Sequence, residues 1–297
     1  MVIASAPLLG SRCAATVIVL SGISLLGACS ASKHQTAVPA PAGAIAATPL
    51  SRHRVAILSG TSDAKTVSII DYTSGNIEKS FGVTREATGI SAETEEGPLL
   101  VSVGGVSRHR DFGAIESWGL GGRKLAVVPM PARAVGVTQE SGNTVYVLVW
   151  GARDSRAAVA LLLPSLEVQR PIPLDAGVRG LQLCSLAGTS YLVYTNRMGF
   201  VAMEPVGGKA IRSKVSGQNA ACGDDGRVYA IQQSFAARTV VAMTPPDLLA
   251  VATIPVSDDA EDLYEVGNRT LLELNATPHA ATLAQLPEPE VTRTAPR

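Results

Sequence analysis

Arginine side chains are the groups in this chain best suited to recognition chemistry. They recur in or beside the segments between the strands predicted below, and one tryptophan lies near the same segments: Arg85, Arg108, Arg110, Arg153, Arg156, Arg197, Arg238 and Trp150. A guanidinium group can donate two parallel hydrogen bonds to a carboxylate or phosphate, and tryptophan is a frequent anchor in binding surfaces. The set predicts a surface for an anionic ligand or an acidic partner. Ordinary solvated ion pairs are the alternative, because acidic residues accompany these arginines at Asp63, Asp111, Asp154, Asp175 and 258–262.

The sequence nominates no catalytic residue, no metal site and no cofactor. It contains no zinc-protease helix motif, no Cys-x-x-Cys pair, no P-loop and no G-x-S-x-G elbow. The histidines are isolated from one another in sequence, at His34, His53, His109 and His279. Lys and Arg together number 25, as do Asp and Glu, and this net charge of +0 predicts no nucleic-acid partner.

The elements that must position these side chains are predicted to be β-strands arranged in repeats. Pairs of strands with alternating apolar and polar residues recur six times, with first strands beginning near residues 54, 99, 145, 191, 228 and 270. The interval of about 37 to 46 residues is typical of the blades of a β-propeller. Each pair is followed by a segment that reads as an outer edge strand and preceded by one that reads as an inner strand lining the axis.

The predicted fold is therefore all-β, with six four-stranded blades over residues 44–297. Residues 44–50 supply the first inner strand in this interpretation, and residues 290–294 supply the last outer strand. Both of these end strands have weak patterns, so a ring of five blades stays open as an alternative.

Propeller geometry groups the charged loops into two faces. The four strands of each blade are counted here from the inner strand outward. The loops from the second to the third strand of a blade, and from the fourth strand to the first strand of the next blade, lie on the same face, which we call the arginine face. It carries the residues named above and also Lys65, Arg133, Arg179, Phe112 and Phe235. The opposite face collects acidic residues, at Glu93, Glu95, Glu96, Glu140, Asp224, Asp225 and Asp247.

The amino terminus predicts export and lipidation. An apolar run over residues 13–29 has the length of a signal-peptide core and ends in Leu26-Gly27-Ala28-Cys29, which resembles the bacterial lipobox. The resemblance implies a signal peptide over residues 1–28, a lipid anchor on Cys29 and an extracytoplasmic location at the cell envelope. Residues 29–43, rich in small residues and proline, then form a flexible tether. A secreted protein or a retained signal anchor is the alternative.

Several segments resemble the repeats of YVTN-type β-propellers. They are "LVYTN" at 192–196, "TVSIIDYTSGN" at 66–76, "VATIPV" at 251–256 and "GDDGRVYAI" at 223–231. The resemblance implies a propeller that acts as a binding platform for an envelope protein or another ligand. The alternative function is that of a propeller hydrolase of the lactonase type, which would need carboxylates and histidines around the axis. Inner-strand polar residues such as Glu93, Gln139, Gln182 and Glu265 are too dispersed to nominate as such a set.

Two cysteines of the mature chain occupy matching positions in predicted inner strands. Cys184 and Cys222 lie in two successive blades, numbered three and four in this interpretation. Inner strands approach one another near the axis and an extracytoplasmic compartment permits oxidation, so a disulfide between these blades is physically reasonable. Two small buried thiols at equivalent repeat positions are the alternative.

Overall fold

In the computed structural model, the described part of the chain consists mainly of β-strands. It covers residues 37–51, 53–92, 97–107, 110–139, 144–151, 155–174, 177–186, 189–206, 208–209, 211–233, 237–265, 271–276 and 281–286. All of these lie within one unit, Gln35–Arg297. No helix long and apolar enough to cross a membrane occurs in this part of the chain. Cys29 and the predicted signal peptide lie outside the described residues.

The strands of the first three blades follow the repeat predicted from the sequence. Blade one consists of β2 (Ala44–Pro49), β3 (Arg54–Gly60), β4 (Lys65–Asp71) and β5 (Asn76–Val83). Blade two consists of β6 (Ala87–Ala92), β7 (Leu99–Ser107), β8 (Arg110–Trp118) and β9 (Lys124–Met130). Blade three consists of β10 (Arg133–Gln139), β11 (Thr144–Trp150), β12 (Arg156–Leu162) and a split outer strand, β13 (Glu167–Val168) with β14 (Ile172–Leu174).

The remaining blades complete the six-bladed architecture. Blade four consists of β15 (Arg179–Leu186), β16 (Thr189–Thr195), β17 (Phe200–Pro205) and β18 (Ile211–Ser216). Blade five consists of β19 (Gln218–Cys222), β20 (Val228–Gln233), β21 (Arg238–Thr244) and β22 (Leu249–Pro255). Blade six consists of β23 (Ala260–Glu265), β24 (Leu271–Ala276), β25 (Ala281–Gln285) and, as its outer strand, β1 (Val38–Ala40). The predicted six four-stranded blades are confirmed.

Closure of the last blade differs from the prediction. The outer position was expected to hold residues 290–294, which lie outside the described residues. It is occupied instead by β1, which pairs antiparallel with β25 from Val38 opposite Leu283 to Ala40 opposite Ala281. The end of the predicted tether, residues 38–40, therefore belongs to the propeller. The two ends of the folded chain meet in one sheet, a pairing between segments far apart in sequence.

Apolar side chains fill the space between successive blades. The middle strands are buried on both faces, as in β3, whereas the outer strand β5 is exposed along most of its length. One core cluster, which includes Leu58 and Val101, joins blades one and two, and another, which includes Ile57 and Leu274, joins blades one and six. Similar clusters occupy the other junctions, so hydrophobic contacts run around the ring.

A disulfide links two neighbouring inner strands. Cys184 of β15 and Cys222 of β19 are bonded, with their Cα atoms 5.8 Å apart. This separation is ordinary for a disulfide. Counted from β2 onward, the bond joins blades four and five rather than the blades three and four of the sequence interpretation.

Each inner strand contains a bulge near its first residues. The pairing register shifts by one residue in all six, and the irregular segment of the inner strand is one residue longer in blades four and five than in the others. In β15 it spans Arg179 to Gln182, and in β19 it spans Gln218 to Ala221. The two longer bulges contain backbone in the left-handed region, at Gly180 with φ 58° and Asn219 with φ 50°. Such bulges re-aim side chains near functional sites.

Candidate functional site

A large polar cavity lies where the loops of blades three, four and five meet on the arginine face. Its volume is about 720 Å³, within the usual range for small-molecule sites. The lining side chains lie at strand ends and in turns of these three blades. They are Trp150, Arg156, Arg179, Thr195, Asn196, Arg197, Ser216, Gln218, Asn219, Ile231 and Gln233. We call this space the arginine cavity. None of its described lining residues is acidic.

Trp150 and Arg156, which stack on each other, form one wall of the cavity. Register places Arg133, Trp150 and Arg156 opposite one another on β10, β11 and β12. The guanidinium carbon of Arg156 lies 3.7 Å from the centroid of the indole ring, and that of Arg133 lies 5.6 Å away. Arg156 is only 8% exposed. This cation–π stacking fixes the orientation of Arg156 and keeps positive charge beside the cavity.

The indole nitrogen of Trp150 is an unused donor in this wall. Nε1 is buried and has no hydrogen-bond partner among the described residues. A buried donor without a partner costs free energy, so its retention beside a cavity is a feature of sites completed by a ligand.

Two exposed arginines complete the positive lining. Arg179 begins β15, and Arg197 lies in the turn between β16 and β17. Neither makes an ion pair with any described residue. The turn at Arg197 is shaped by Asn196, whose Oδ1 accepts hydrogen bonds from the backbone N–H groups of Met198 (2.9 Å) and Phe200 (3.1 Å). A compact, internally bonded turn therefore presents Arg197.

Glycine allows the Arg197 turn to approach the next loop closely. Gly177 has φ 76°, and a Cβ atom built on it would lie 2.8 Å from the Cβ of Arg197. Any other residue would collide with that side chain and would also strain the backbone. Glycine at position 177 is therefore needed for this wall of the cavity to form as observed.

Sequence reasoning found part of this site and missed the rest. The cavity brings together three predicted residues, Trp150, Arg156 and Arg197, and adds Arg179 from the same predicted face. It also contains neutral polar residues that the sequence did not single out, namely Thr195, Asn196, Ser216, Gln218, Asn219 and Gln233. The only local signals for them were the turn residues Asn196 and Gly217 and the polar start of the inner strand at Gln218.

The other predicted arginines do not line this cavity. Arg85 is exposed and pairs with Glu86 at 3.2 Å, which agrees with the ion-pair alternative at that position. Arg238 donates from Nη1 to the backbone oxygen of Ala260 in the next blade, a structural role. Arg110 begins β8, but its side chain is not described. Arg108 and Arg153 lie outside the described residues.

A smaller cavity of about 170 Å³ lies on the axis. All six inner strands contribute to it, and its lining includes Thr48, Ser91, Thr138, Gln182 and Tyr264. Among the described residues, no group of three or more His, Cys, Asp or Glu side chains could hold a metal ion. Of the dispersed inner-strand residues considered above, Gln182 reaches this cavity, whereas the side chains of Glu93, Gln139 and Glu265 are not described.

On the opposite face, Asp225 is held by internal contacts. Asp225 accepts a hydrogen bond from the hydroxyl of Tyr229 at 2.7 Å and pairs with Arg227 at 3.3 Å. Burial, followed by this bond to Asp225, raises the pKa of Tyr229 to about 12. Asp247 is exposed, and the four glutamates predicted on this face lie outside the described residues.

Comparison with known proteins defines the fold. The chain matches no protein-family model and no curated protein. It is similar in structure to a chain of Kuenenia stuttgartiensis hydrazine synthase, with a TM-score of 0.54 and 12% identity over 86% of this chain and 98% of that one. The WD40 repeats of RRP9 give a TM-score of 0.57 and 9% identity, with coverages of 86% and 98%. The β-propeller domain of Cps50 (Swd1) from Myceliophteria thermophila gives 0.56 and 12%, with coverages of 84% and 98%.

At these identities the similarities establish the class of fold alone. The protein is a six-bladed β-propeller. The YVTN-type resemblance stays a prediction.

Proposed function

We propose that this protein is a lipid-anchored, extracytoplasmic propeller that binds an anionic ligand or an acidic partner surface in the arginine cavity. One observation carries the proposal: three arginines and an unused indole donor converge on a cavity with no acidic residue in its described lining. Arg179 and Arg197 are exposed and make no ion pair with any described residue, so their guanidinium groups are suited to a carboxylate or phosphate from outside.

The binding test uses charge reversal at exposed positions. Replacing Arg179 and Arg197 together by Glu should abolish capture of partners by the tagged full-length chain in intact cells after crosslinking. The matched control replaces Arg123 and Arg170 by Glu, because both are exposed, lie away from the cavity and give the same change in net charge. Equal loss of capture in the two variants would show that total charge, rather than the cavity, governs binding.

The anchoring part of the proposal depends on Cys29. A thioether-linked lipid there would hold the propeller at the membrane, because the small polar residues after it offer no other apolar attachment. Cys29→Ser should therefore leave either an unlipidated precursor that retains its apolar signal segment or a body released into the aqueous phase in phase partitioning. A variant with the same processing, mass and partitioning as the parent, apart from the substitution itself, would contradict lipidation.

The disulfide supports an extracytoplasmic location. Structural disulfides persist in oxidising compartments and are rare in the cytosol. Thiol labelling of the chain taken directly from cells should leave Cys184 and Cys222 unlabelled until a reductant is added. Full labelling without reductant would contradict this location.

A lactonase-type hydrolase is the second candidate. Its support is the fold class and the small axial cavity. In the described lining of that cavity, the polar groups are hydroxyls, an amide and backbone rather than paired carboxylates. Activity toward lactones that is lost when axial residues such as Gln182 are replaced would favour this candidate over the binding function.

A further inference from the structure

We propose that the ligand of the arginine cavity is an acidic sugar, meaning a carboxylate-bearing saccharide of one or two rings. This inference rests on the proposed function and specifies its ligand. It is based on three properties of the described lining: its size, its mixture of charged and neutral polar groups, and the coverage of its aromatic ring.

The volume indicates a ligand larger than a simple ion. A cavity of about 720 Å³ greatly exceeds the volume of a single phosphate or carboxylate group. Ligand sites of about 300 to 1,000 Å³ enclose small organic molecules. The arginines therefore contact one charged part of a larger molecule whose remainder meets the other lining residues.

Those other residues are suited to hydroxyl groups. The amides of Gln218 and Gln233 line the cavity, are exposed, and make no side-chain hydrogen bond with described residues. The carbonyl oxygen of Asn196 is used by its own turn, which leaves its NH2 group as a donor. An amide both donates and accepts, and so does a hydroxyl, whereas a phosphate oxygen only accepts. A polyhydroxylated molecule uses both capacities.

Apolar surface in the described lining is too limited for a peptide or a nucleotide. Ile231 and Trp150 are its only large apolar side chains. Arg156 covers one face of the Trp150 ring at 3.7 Å, which removes that face as a stacking platform for a base. Peptide recognition generally needs apolar pockets for side chains. A sugar ring with a carboxylate matches donors, acceptors and cations without needing such a pocket.

Local backbone supports a dedicated site. The longer inner-strand bulges occur in the two blades that contribute Arg179, Gln218 and Asn219 to the lining. Asn219 has left-handed backbone with φ 50°, an uncommon conformation for a residue with a side chain. The bulged segments therefore supply both a charged and two amide side chains to the lining of the arginine cavity.

Calorimetric titration of the purified full chain in detergent tests the ligand class. The probes are digalacturonate, the corresponding neutral digalactoside, tetraglutamate and inorganic phosphate. We expect digalacturonate to bind most tightly, with the neutral digalactoside weaker by about tenfold or more because charge-assisted hydrogen bonds are lost. Tetraglutamate and phosphate should also bind more weakly than digalacturonate.

Amide variants separate this inference from the proposed function. Gln218→Ala with Gln233→Ala should weaken digalacturonate binding by about tenfold and leave the weaker binding of phosphate unchanged. The control pair, Gln169→Ala with Gln285→Ala, lies outside the cavity and should change neither. Tetraglutamate binding as tightly as digalacturonate would overturn the acidic-sugar inference while leaving an anion-binding cavity. Absence of binding by all three anionic probes would overturn both proposals.

Discussion

Blades two and three each place a cation over a tryptophan, but the two clusters differ in how their polar groups are satisfied. In blade two, Lys124 lies 4.9 Å from the centroid of Trp118 and pairs with Glu116 at 2.6 Å. The indole N–H of Trp118 donates to the same carboxylate at 3.0 Å. In blade three, the indole N–H of Trp150 has no described acceptor, and Trp150 and the stacked Arg156 line a cavity.

The difference distinguishes a structural cluster from a candidate binding site. Glu116 is 5% exposed and accepts bonds from Thr84, Trp118 and Lys124, so the group, which we call the closed cluster, is complete within the chain. The arginine cavity contains comparable donors without such a carboxylate among its described residues. Similar residue types thus stabilise blade two and leave blade three ready for an external acceptor.

The largest expected effect is on binding. Arg179→Gln with Arg197→Gln should weaken digalacturonate binding by about 100-fold or more, because two charge-assisted contacts are lost. The free energy of unfolding should stay within about 0.5 kcal/mol of the parent value, since both side chains are exposed. Calorimetry and chemical denaturation measure the two quantities. A large loss of stability would show that these arginines are structural.

The closed cluster should respond in the opposite way. Glu116→Gln should lower the free energy of unfolding by about 2 kcal/mol, because Lys124, Thr84 and Trp118 lose a shared anionic acceptor. Binding to the arginine cavity should not change. Glu78→Gln is the matched control, since Glu78 pairs with Arg54 at 2.9 Å but its side chain is 41% exposed. Its effect on denaturation should be below about 1 kcal/mol.

Replacing each tryptophan by phenylalanine sharpens the comparison. Trp150→Phe removes the unused donor and weakens the stacking of Arg156, so digalacturonate affinity should fall by about fivefold. Stability should change by no more than about 1 kcal/mol. Trp118→Phe should reduce stability and leave affinity unaltered, because its N–H is used within blade two. The same change in affinity for both variants would contradict the distinction between the clusters.

The smallest effect concerns another internally satisfied group, on the face opposite the cavity. Because the pKa of Tyr229 is raised from 10.0 to about 12, its contribution to stability is fully present below pH 10 and is lost as the pH rises toward 12. The free energy of unfolding should therefore fall less between pH 9 and 12 in Tyr229→Phe than in the parent, by about 1 kcal/mol after allowance for solvent screening. Denaturation curves from pH 9 to 12 measure it, with Tyr191→Phe as control. An identical pH dependence in Tyr229→Phe and the parent would contradict the shift.

The blades could be predicted from sequence because their middle strands carry a local signal. Alternation and turn residues recur within each hairpin, so strands such as β3 and β4 were located closely. Closure of the ring could not be predicted from sequence. The strand that closes it, β1, is three residues long, contains Pro39 and pairs with a strand from the far end of the fold. Proline carries little β-propensity, and edge pairing of this kind leaves no local pattern.

The charged residues of the site could be predicted from sequence, but the pairing that brings its lining residues together could not. Arginine and tryptophan between strands indicated a recognition face, and the structure places Trp150, Arg156 and Arg197 around one cavity. The burial of Arg156 depends on its register opposite Trp150 across a hairpin. The contributions of Gln218 and Asn219 depend on a bulge in β19, and bulge positions depend on pairing between strands.

The most direct test of the account uses the fluorescence of Trp150. The chain contains 2 tryptophans, so the Trp118→Phe full-length variant leaves Trp150 as the single reporter, in the wall of the arginine cavity. We expect a saturable change in its emission on titration with digalacturonate. The change should disappear when Arg179→Gln and Arg197→Gln are added and should persist with Arg123→Gln and Arg170→Gln. A change that survives the loss of Arg179 and Arg197, or no saturable change with digalacturonate, tetraglutamate or phosphate, would contradict the assignment of the arginine cavity as the binding site.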